Sequence, residues 1–587
     1  MLKEAIFHQA GVPYAYPVSK DRLLVQLRTA KDDLEKVDLF YGDRYEGPDV
    51  IDSILMDKYA SDQLFDYYRV EIEVDTSRFR YMFLLDDGKK RLWYNEFGFH
   101  NNRPRGYHSG YFQYPYVAEA DMYDVPDWTK DAVVYSIFPE RFYNGDKSND
   151  PKDKKEWGEK PKCQMDLYGG DLAGILEKLP YLEELGVNTL YMTPVFKSPS
   201  SHKYDTTDYY QVDPQFGDKE LFKELVDECH QRGMKVILDA VFNHCGYEFA
   251  PFQDVIENGR ESEYSDWFHI EEYPVSKEPL TYETFATDVW RMPKLNHSNS
   301  NVREYFLEVG EYWVREFDID GWRLDVANEI DHAFWREFRA RVRSIKPDLY
   351  IIGEVWHHSS KFLEGDQFDA VMNYPFWDAV YQFIGQKAIS VDEFDERLTL
   401  NRVTYPKQAV EAAWNLLDSH DTARAITRFN GNKQALKLAF TFQMTYIGVP
   451  FIYYGDEIGL AGGEDPDCRR CMPWNEEEQD LKLFNHFKKI IQIRKDNEPL
   501  RRGEFRTICK DEARGIYIFE RYTKQDSVLV IINNGLKKEE IELDLTDLNF
   551  SSQQRIHELL TEKDYTLDNQ ILRLTVGAEE AAICIQV

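Results

Sequence analysis

The chain has 587 residues, of which 43% are hydrophobic and 30% are charged, a balance typical of folded globular proteins rather than disordered ones. One compact core rarely extends over so long a chain, so we expect about two to four domains. The formal net charge of −34 argues against nucleic acid or an anionic membrane as a partner, because both require clustered Lys and Arg.

The N-terminal residues 1–121 have the pattern of an all-β domain. Residues 23–28 and 68–74 are short runs rich in β-forming residues, and the second run alternates polar with apolar positions. Residues 86–89 read Asp-Asp-Gly-Lys between two further runs, which is typical of a hairpin turn. These spacings predict a small β-sandwich.

From residue 122 the hydrophobic period changes, and apolar strand-like runs alternate with helical stretches such as 221–231 and 331–345. Eight buried strands separated by helices predict a (β/α)8 barrel built from residues 122–242 and 298–502. The predicted barrel strands are 132–138, 189–193, 235–241, 321–326, 350–355, 368–372, 413–417 and 450–454.

Two further segments complete the predicted organisation. Residues 243–297 are too many for a simple loop and predict a small inserted domain after strand 3. Residues 503–587 again contain short alternating strands, clearest at 515–522 and 528–532, and predict a second β-sandwich. The predicted fold class is therefore α/β: a (β/α)8 barrel with an inserted domain, flanked by N-terminal and C-terminal β-sandwich domains.

The N-terminal residues and the cysteines bear on the cellular compartment. The first residues lack the basic start, apolar stretch and cleavage site of a secretory signal, and no apolar run approaches transmembrane length. Cys468 and Cys471 form a lone C-x-x-C, without the second ligand pair of a zinc site or a thioredoxin-like context. The seven scattered cysteines therefore predict free thiols in a reducing cytoplasm.

Polar residues collect at the carboxyl ends of four predicted barrel strands. A single Asp or Glu there is more often a helix cap or a loop salt bridge, but four such motifs on four strands would converge on one face of a barrel. Cleavage of a glycosidic bond needs this set, because one carboxylate attacks the anomeric carbon while another protonates the leaving oxygen. The strands concerned are the third, fourth, fifth and seventh, and they end in Asp239 to His244, Arg323 and Asp325, Glu354, and His420 and Asp421.

These motifs resemble those of the α-amylase family of glycoside hydrolases. Residues 292–296 (Met-Pro-Lys-Leu-Asn) and 326–329 (Val-Ala-Asn-Glu), with the N-terminal sandwich, are similar to the neopullulanase, cyclomaltodextrinase and maltogenic amylase subgroup. A typical amylase carries Asp where Lys294 or Asn296 stands, so the usual interdomain calcium site is not expected here. The four matching motifs are Asp239-x-x-x-Asn243-His244, Gly321-x-Arg323-x-Asp325, Gly353-Glu354-x-Trp356 and Ser419-His420-Asp421.

The resemblance implies distinct roles for three carboxylates. Asp325 corresponds to the nucleophile, Glu354 to the general acid/base, and Asp421 to the residue that binds ring hydroxyls and stabilises the distorted sugar. Arg323 lies two residues before Asp325, on the same strand face, and is expected to hold Asp325 ionised by lowering its pKa. Retention of configuration requires the carboxyl groups of Asp325 and Glu354 to lie about 5–5.5 Å apart.

The resemblance also implies residues that contact the substrate. The histidines would bind sugar hydroxyls, and Tyr204 would form the platform beneath the sugar at the cleavage subsite. Without the motifs, the histidines would be interpreted as hydrogen-bonded loop residues and Trp356 as loop packing. The predicted substrate-binding set is His244, Arg323, His420, His202, Tyr204, Phe285, Trp356, Asp465 and Arg469.

One loop offers a set of hard oxygen ligands that suits calcium. Asn, Gly and Asp are also common in ordinary turns, which is the alternative interpretation. The resemblance to calcium-binding family members implies a structural calcium, not a catalytic one, and no organic cofactor. The predicted metal residues are Asn144, Asp146, Asn149, Asp150, Gly169 and Asp171.

The activity implied is retaining, endo-type hydrolysis of α-1,4-glucosidic bonds in cyclodextrins, pullulan and maltodextrins, with transfer to sugar acceptors. The subgroup implies a cytoplasmic homodimer whose N-terminal domain covers the partner's active site.

A glucosyltransferase or isomerase of the same family acting on small sugars is one alternative, but the two sandwiches and residues 326–329 argue against it. A non-catalytic carbohydrate-binding relative is another, and it predicts lost carboxylates or a membrane anchor. The sequence does not rank cyclodextrin, pullulan and starch as substrates.

Overall fold

A computed structural model describes residues 1–47, 49–73, 75–105, 110–548, 550 and 555–586, so Val74 and Val587, which belong to predicted elements, lie outside the described residues. The chain divides into two units. The first contains Met1–Asp124, Ser359–Asp369 and Ile389–Val410, and the second contains the rest of the chain.

The N-terminal residues of the first unit form two antiparallel sheets whose facing apolar side chains make one core. Leu23, Val25 and Leu27 alternate along one strand and are completely buried together with Leu39 and Phe83 of the other sheet. One sheet has the order Ala15–Ser19, Arg22–Ala30, Phe65–Glu73 and Asp57–Ser61. The other has the order Asp52–Leu55, Lys36–Asp43, Phe79–Asp86, Arg91–Asn95 and Gly98–His100, and Phe112–Tyr114 also pairs with Phe79–Asp86.

The predicted hairpin turn joins Phe79–Asp86 to Arg91–Asn95. Gly88 has a φ of +76°, which a side chain disfavours. The Asp87 carboxylate accepts backbone N–H bonds from Lys89 and Lys90 at 3.0 and 2.8 Å and thereby closes the turn. The turn predicted from the sequence therefore lies where these two strands are joined in the structure.

The first unit also contains the helix Val391–Thr404, which packs against the sandwich through polar side chains. Gln26 donates its side-chain amide to the Val403 carbonyl at 2.9 Å, and Arg69 donates to the Arg402 carbonyl at 2.8 Å. These bonds satisfy carbonyls in the last turn of the helix, which have no partner within it.

The second unit contains a closed barrel of eight parallel strands, as predicted. Strands 1 to 6 pair in sequence order, strand 1 also pairs with strand 8, and strand 8 pairs with strand 7. A parallel bridge between Met372 and Trp414 joins strands 6 and 7 and completes the ring. The barrel strands are Val134–Ile137, Thr189–Met192, Lys235–Ala240, Gly321–Leu324, Tyr350–Gly353, Ala370–Val371, Trp414–Asn415 and Val449–Tyr453.

Helices follow these strands, and several begin at a residue whose side chain accepts a backbone N–H of the first turn. Asp171, Asp218 and Asp331 are three such caps. No helix in the described ranges is both long and apolar enough to cross a membrane. The helices of the second unit include Pro139–Phe142, Leu172–Leu185, Lys219–Gln231, Ser300–Phe317, His332–Ile345, Tyr374–Val380, Ala425–Arg428, Lys433–Thr445, Leu481–Asp496 and Glu498–Arg502.

Residues between the third barrel strand and Ser300–Phe317 form a small layer within the same unit as the barrel, at the place predicted for the inserted domain. It contains the helix Ala250–Asn258 and isolated bridges such as Phe268 to Leu295. A bridge from His244 to Lys294 brings its two ends together. The inserted segment therefore begins and ends at the carboxyl end of the barrel.

A second short segment outside the barrel follows strand 2, and in it Phe196–Lys197 pairs with Asp208–Val212.

The C-terminal residues form a second β-sandwich, also as predicted. Arg521 lies in its second strand and is 1% exposed. Its guanidinium donates to the carbonyls of Thr445, Leu500 and Gly503 at 2.9 to 3.0 Å, which links the sandwich to the barrel helices. The strands are Glu504–Asp511, Ile516–Tyr522, Ser527–Asn533, Glu580–Gln586, Arg555–Glu558 and Lys563–Thr566 in one sheet, and Glu539–Asp544 with Ile571–Val576 in the other.

Candidate active site

Two carboxylates meet one guanidinium at the carboxyl ends of neighbouring barrel strands. Asp325 follows the fourth strand and Glu354 follows the fifth, each by one residue. Arg323, completely buried on the fourth strand, places Nη1 2.7 Å from Asp325 Oδ1 and Nη2 2.8 Å from Glu354 Oε2. Asp239 of the third strand lies 3.0 Å from the same Nη1. Asp325 and Glu354 therefore face each other across one fixed cation.

The electrostatic environment of Asp325 differs from the sequence prediction. Burial of the carboxyl group is the largest influence and raises its pKa well above the ordinary value, and the neighbouring Glu354 and Asp239 act in the same direction. Arg323 lowers the pKa, as expected, but does not outweigh burial. The predicted net lowering is therefore wrong, because the sequence shows the adjacent cation but not the loss of water around the site.

Asp421 lies on the loop after the seventh strand and is the most exposed of the three carboxylates. Its side chain is 29% exposed, and its Oδ2 lies 3.1 Å from His420 Nε2. Arg469 approaches the other oxygen at 3.3 Å. Burial, followed by the charges of Arg323 and Arg469, lowers the pKa of His420 well below its usual value. His420 is therefore a neutral imidazole at physiological pH.

Tyr204 connects the loop after the second strand to this group. Its hydroxyl donates to Asp239 Oδ2 at 2.8 Å and lies 2.6 Å from His420 Nε2. The rings of Tyr204 and His420 are nearly parallel, with centroids 5.5 Å apart. His202 accepts the Tyr204 backbone N–H at 3.0 Å, so the two predicted residues of this loop hold each other in place. Burial lowers the pKa of His202 to about 4.

His244 and Phe285 form one wall of the site, with ring centroids 4.9 Å apart. His244 is 1% exposed, and burial lowers its pKa to about 3. Within the described part of the chain its Nε2 atom has no hydrogen-bond partner. A neutral ring with an unused nitrogen is able to bind a hydroxyl group. Phe285 is 37% exposed and offers an apolar surface.

Trp356 also lines the site and is 47% exposed. Its indole donates to Glu354 Oε1 at 3.0 Å, and its ring stacks on Tyr374 at a centroid distance of 3.7 Å. Asp465 and Arg469 form an ion pair at 2.9 Å beside Asp421. Trp356 therefore contacts one of the carboxylates directly and is not merely loop packing.

A cavity of about 490 Å³ collects these side chains. Arg323 and His420 do not line the cavity themselves. Each contacts a residue that does, Asp325 in the case of Arg323 and Asp421 in the case of His420. The predicted residues in the lining are His202, Tyr204, His244, Phe285, Asp325, Glu354, Trp356, Asp421, Asp465 and Arg469. The remaining lining residues are Gln164, Met292, Val326, Asn328, Glu329 and His357.

Comparison with known families agrees with this geometry. A family model described as the catalytic domain of alpha amylase matches residues 136–503. Models of the N-terminal ig-like domain and the C-terminal domain of alpha amylases match residues 1–118 and 503–584. The chain belongs to the α-amylase family. It is therefore a glycoside hydrolase, and the predictions of family and fold are confirmed.

Several relatives match almost the full length of this α-amylase family chain. A cyclomaltodextrinase of Thermoanaerobacter pseudethanolicus is 50% identical over 543 residues, which cover 92% of this chain and 94% of the relative. Neopullulanase 2 of Thermoactinomyces vulgaris is 49% identical over 551 residues, covering 93% and 94%. An intracellular maltogenic amylase of Bacillus subtilis is 40% identical over 565 residues, covering 95% of each chain. The predicted subgroup is confirmed.

A solved cyclomaltodextrinase structure superposes with a TM-score of 0.95 and 43% identity, covering 100% of both chains. The type III pullulan hydrolase of Thermococcus kodakarensis gives a TM-score of 0.84 at 28% identity, covering 99% of this chain and 100% of that one. Solved relatives therefore match this chain over nearly its whole length.

The sequence prediction missed some residues of the site for identifiable reasons. Gln164 lies in the long loop after strand 1, far from any strand end, yet its amide donates to Asp465 at 2.9 Å. Nothing in its sequence context indicates this role. His357 follows Trp356 directly. It could have been predicted in the same way as Glu354, because both are polar residues just after the fifth barrel strand.

The predicted metal residues come together in a separate loop, away from the catalytic cavity. Asp171 accepts the backbone N–H groups of Gly145, Asp146 and Gly174 at 2.6 to 3.0 Å, and burial raises its pKa. The side-chain oxygens of Asn144 and Asn149 are buried without a hydrogen-bond partner in the described residues. Over the same residues, no group of three or more His, Cys, Asp or Glu side chains suits a metal. A metal bound here would therefore need amide or backbone oxygens in addition to carboxylates.

Proposed function

We propose that this chain hydrolyses α-1,4-glucosidic bonds in cyclodextrins, pullulan and maltodextrins with retention of configuration. The observation that carries the proposal is the pair Asp325 and Glu354, which line the cavity and are both bound to one buried guanidinium. Retaining glycosidases need two carboxyl groups about 5–5.5 Å apart, one to attack and one to transfer a proton, and a shared guanidinium supports such a pairing.

In the proposed first step, Asp325 attacks the anomeric carbon while Glu354 gives its proton to the departing glycosidic oxygen. This forms a covalent glycosyl ester on Asp325 and releases an alcohol. In the second step, Glu354 removes a proton from water, whose oxygen attacks the anomeric carbon and frees Asp325. A sugar hydroxyl can replace the water, and the product is then a transglycosylated glucan.

The remaining side chains would position the sugar. Asp421, with neutral His420 beside it, would accept hydrogen bonds from ring hydroxyls at the cleavage subsite. The unused Nε2 atom of His244 would bind another hydroxyl, and the ring of Tyr204 would pack beneath the sugar. Phe285, Trp356, Asp465 and Arg469 would contact neighbouring glucose units from the rim.

Product analysis tests this reaction. We expect the first reducing sugars released from β-cyclodextrin to be α-anomers, because two successive displacements restore the configuration. Proton NMR in the first minutes of the reaction measures this before mutarotation. Initial β-anomers would contradict the mechanism. Chromatography of products from β-cyclodextrin, pullulan and soluble starch at equal mass would rank the substrates and would reveal an isomerase or glucosyltransferase.

We also propose that the loop from Asn144 to Asp150, with Gly169 and Asp171, binds a structural calcium ion. The buried and unpartnered amide oxygens of Asn144 and Asn149 are hard ligands of the type calcium prefers. Gly169 supports the loop, because a Cβ atom there would collide with the side chains of Asn144 and Asp150. The ion would brace the loop, outside the catalytic cavity.

Chelation tests the calcium proposal. We expect EDTA to lower the Tm and added calcium to restore it, because an ion that binds only the folded chain stabilises it. The Asn149→Ala variant should show a lower Tm than the wild type in calcium and a smaller response to EDTA. An unchanged Tm on chelation would favour the alternative that these residues only form turns.

We further propose a homodimer in the cytoplasm, in which the N-terminal domain covers the partner's active site. The full-length similarity to the subgroup, which includes an intracellular maltogenic amylase of Bacillus subtilis, supports this proposal. Sedimentation equilibrium should give about twice the 69.4 kDa chain mass. A monomer at micromolar concentration, or recovery of the enzyme outside the cell, would contradict it.

A further inference from the structure

A second cavity of about 750 Å³ lies in the same unit as the catalytic cavity and shares none of its lining residues. It lies between the segments 143–168 and 458–478. Arg469 lines the catalytic cavity and the next residue, Arg470, lines the second one. The backbone that carries these two arginines is therefore part of a wall that separates the cavities.

Four aromatic residues line the second cavity, among them Trp157 and Trp474. The Trp157 indole donates to the Met472 carbonyl at 2.9 Å, and the Trp474 indole donates to the Phe142 carbonyl at 2.6 Å. Because both indole N–H groups are bound to backbone, the two rings are held in place, and Lys178 Nζ lies 4.7 Å from the centroid of the Trp474 ring. Fixed ring surfaces of this kind suit the C–H faces of sugars.

Tyr168 supplies a polar atom that the protein leaves unused. The residue lines the cavity and is 1% exposed, and its hydroxyl has no hydrogen-bond partner among the residues described. A tyrosine hydroxyl can donate one hydrogen bond and accept others. Buried polar groups in native proteins are normally paired, which points to a ligand or water as the missing partner.

The charges around the cavity favour a neutral ligand. Its basic residues are Lys147, Lys154, Lys155 and Arg470, and ion pairs join three of them to acidic residues: Lys154 to Asp150 at 2.7 Å, Lys155 to Asp166 at 3.8 Å and Arg470 to Asp467 at 2.8 Å. Glu156 and Glu478 also line the cavity. The cavity thus offers basic and acidic side chains, which can donate and accept hydrogen bonds, beside aromatic rings. This combination suits a neutral chain with many hydroxyl groups better than an anion.

We propose that this cavity is a second binding site for a short α-glucan chain, with Trp157 and Trp474 as ring platforms and the Tyr168 hydroxyl as a hydrogen-bond donor. The choice of glucan as the ligand rests on the proposed function. A glucan held there would lie across one wall from the catalytic cavity, so it would keep a second chain close to the site of cleavage.

Calorimetric titration of the Glu354→Gln variant with maltotriose tests the proposal, because this variant should bind glucan without consuming it. We expect two binding events per chain. Adding Trp157→Ala should remove one event, and adding Tyr168→Phe, which keeps the ring, should weaken the same event. Trp128→Ala is a matched control, since Trp128 is also half-buried and donates its indole to a backbone carbonyl, but it lines neither cavity. It should leave both events unchanged.

The possible failures are distinguishable. A single binding event in Glu354→Gln, or two events that survive both Trp157→Ala and Tyr168→Phe, would overturn the second site and leave the proposed function intact. Absence of cleavage of β-cyclodextrin, pullulan and maltotriose by the wild type would overturn the proposed function instead. If Trp157→Ala lowers the Tm strongly, Tyr168→Phe alone decides the matter.

Discussion

The Glu354→Gln variant is expected to hydrolyse α-glucans roughly 10²–10⁴-fold more slowly than the wild type, the range that general acid–base catalysis supplies. Glutamine has the shape of glutamate but cannot transfer the proton that the leaving oxygen needs. The Val326 backbone N–H, which donates to Glu354 Oε2 at 3.0 Å, holds the side chain in place. Substrate binding and the Tm should therefore remain close to those of the wild type.

Two controls make this result specific. Glu464→Gln changes an exposed carboxylate on the neighbouring loop that does not line the cavity, and it should leave turnover normal. A maltosyl fluoride substrate should partly rescue the first step in Glu354→Gln, because fluoride leaves without a proton. We then expect a burst of fluoride followed by slow turnover, since the second step still needs the base. Near-normal turnover of maltodextrins would show that Glu354 is not the acid.

The Asp325→Asn variant is expected to lose activity by roughly 10⁴-fold or more, as other hydrolases do when the nucleophile is removed, and yet to melt at a higher temperature. Burial raises the pKa of Asp325 in the folded protein, so ionisation of this side chain at neutral pH costs free energy of folding. Asparagine removes that cost, and Arg323 keeps Asp239 and Glu354 as partners.

The pH dependence of stability separates this effect from a simple packing change. A carboxyl group with a raised folded-state pKa destabilises the protein above that pKa. The penalty disappears as the pH falls through the folded pKa toward the unfolded value of about 3.9. The Tm advantage of Asp325→Asn should therefore increase as the pH rises toward and through the folded pKa, and it should shrink in acid. A lower Tm than wild type at pH 7, measured by calorimetry, would contradict the electrostatic origin.

Much of the barrel follows from hydrophobic pattern alone. Each predicted barrel strand overlaps an observed one, because a parallel strand covered on both faces must be apolar over several consecutive residues. The runs at 189–193 and 235–241 lie within one residue of Thr189–Met192 and Lys235–Ala240. The run at 368–372 is longer than Ala370–Val371, since burial of neighbouring loop residues extends the apolar pattern beyond the paired strand.

Polar residues at the ends of the barrel strands indicated where the catalytic cavity lies. They did not indicate which side chains contact one another inside the barrel. Tyr191 lies inside the second strand and donates its hydroxyl to Asp239 at 2.6 Å, a contact that depends on how the barrel side chains stack. Gln164 reaches the cavity from a loop without periodicity. The association of Ser359–Asp369 and Ile389–Val410 with the N-terminal residues also depends on three-dimensional packing. Contacts between distant parts of the chain leave no local signal in the sequence.

The buried Arg521 makes the C-terminal sandwich inseparable from the rest of its unit. Its three acceptors belong to the end of one barrel helix, the helix Glu498–Arg502 and the junction at Gly503. A chain shortened at this junction would expose three carbonyls and the apolar surface around them. The sandwich is therefore a fixed part of the enzyme's architecture, and exchange of this domain between relatives requires transfer of the matching barrel helices as well.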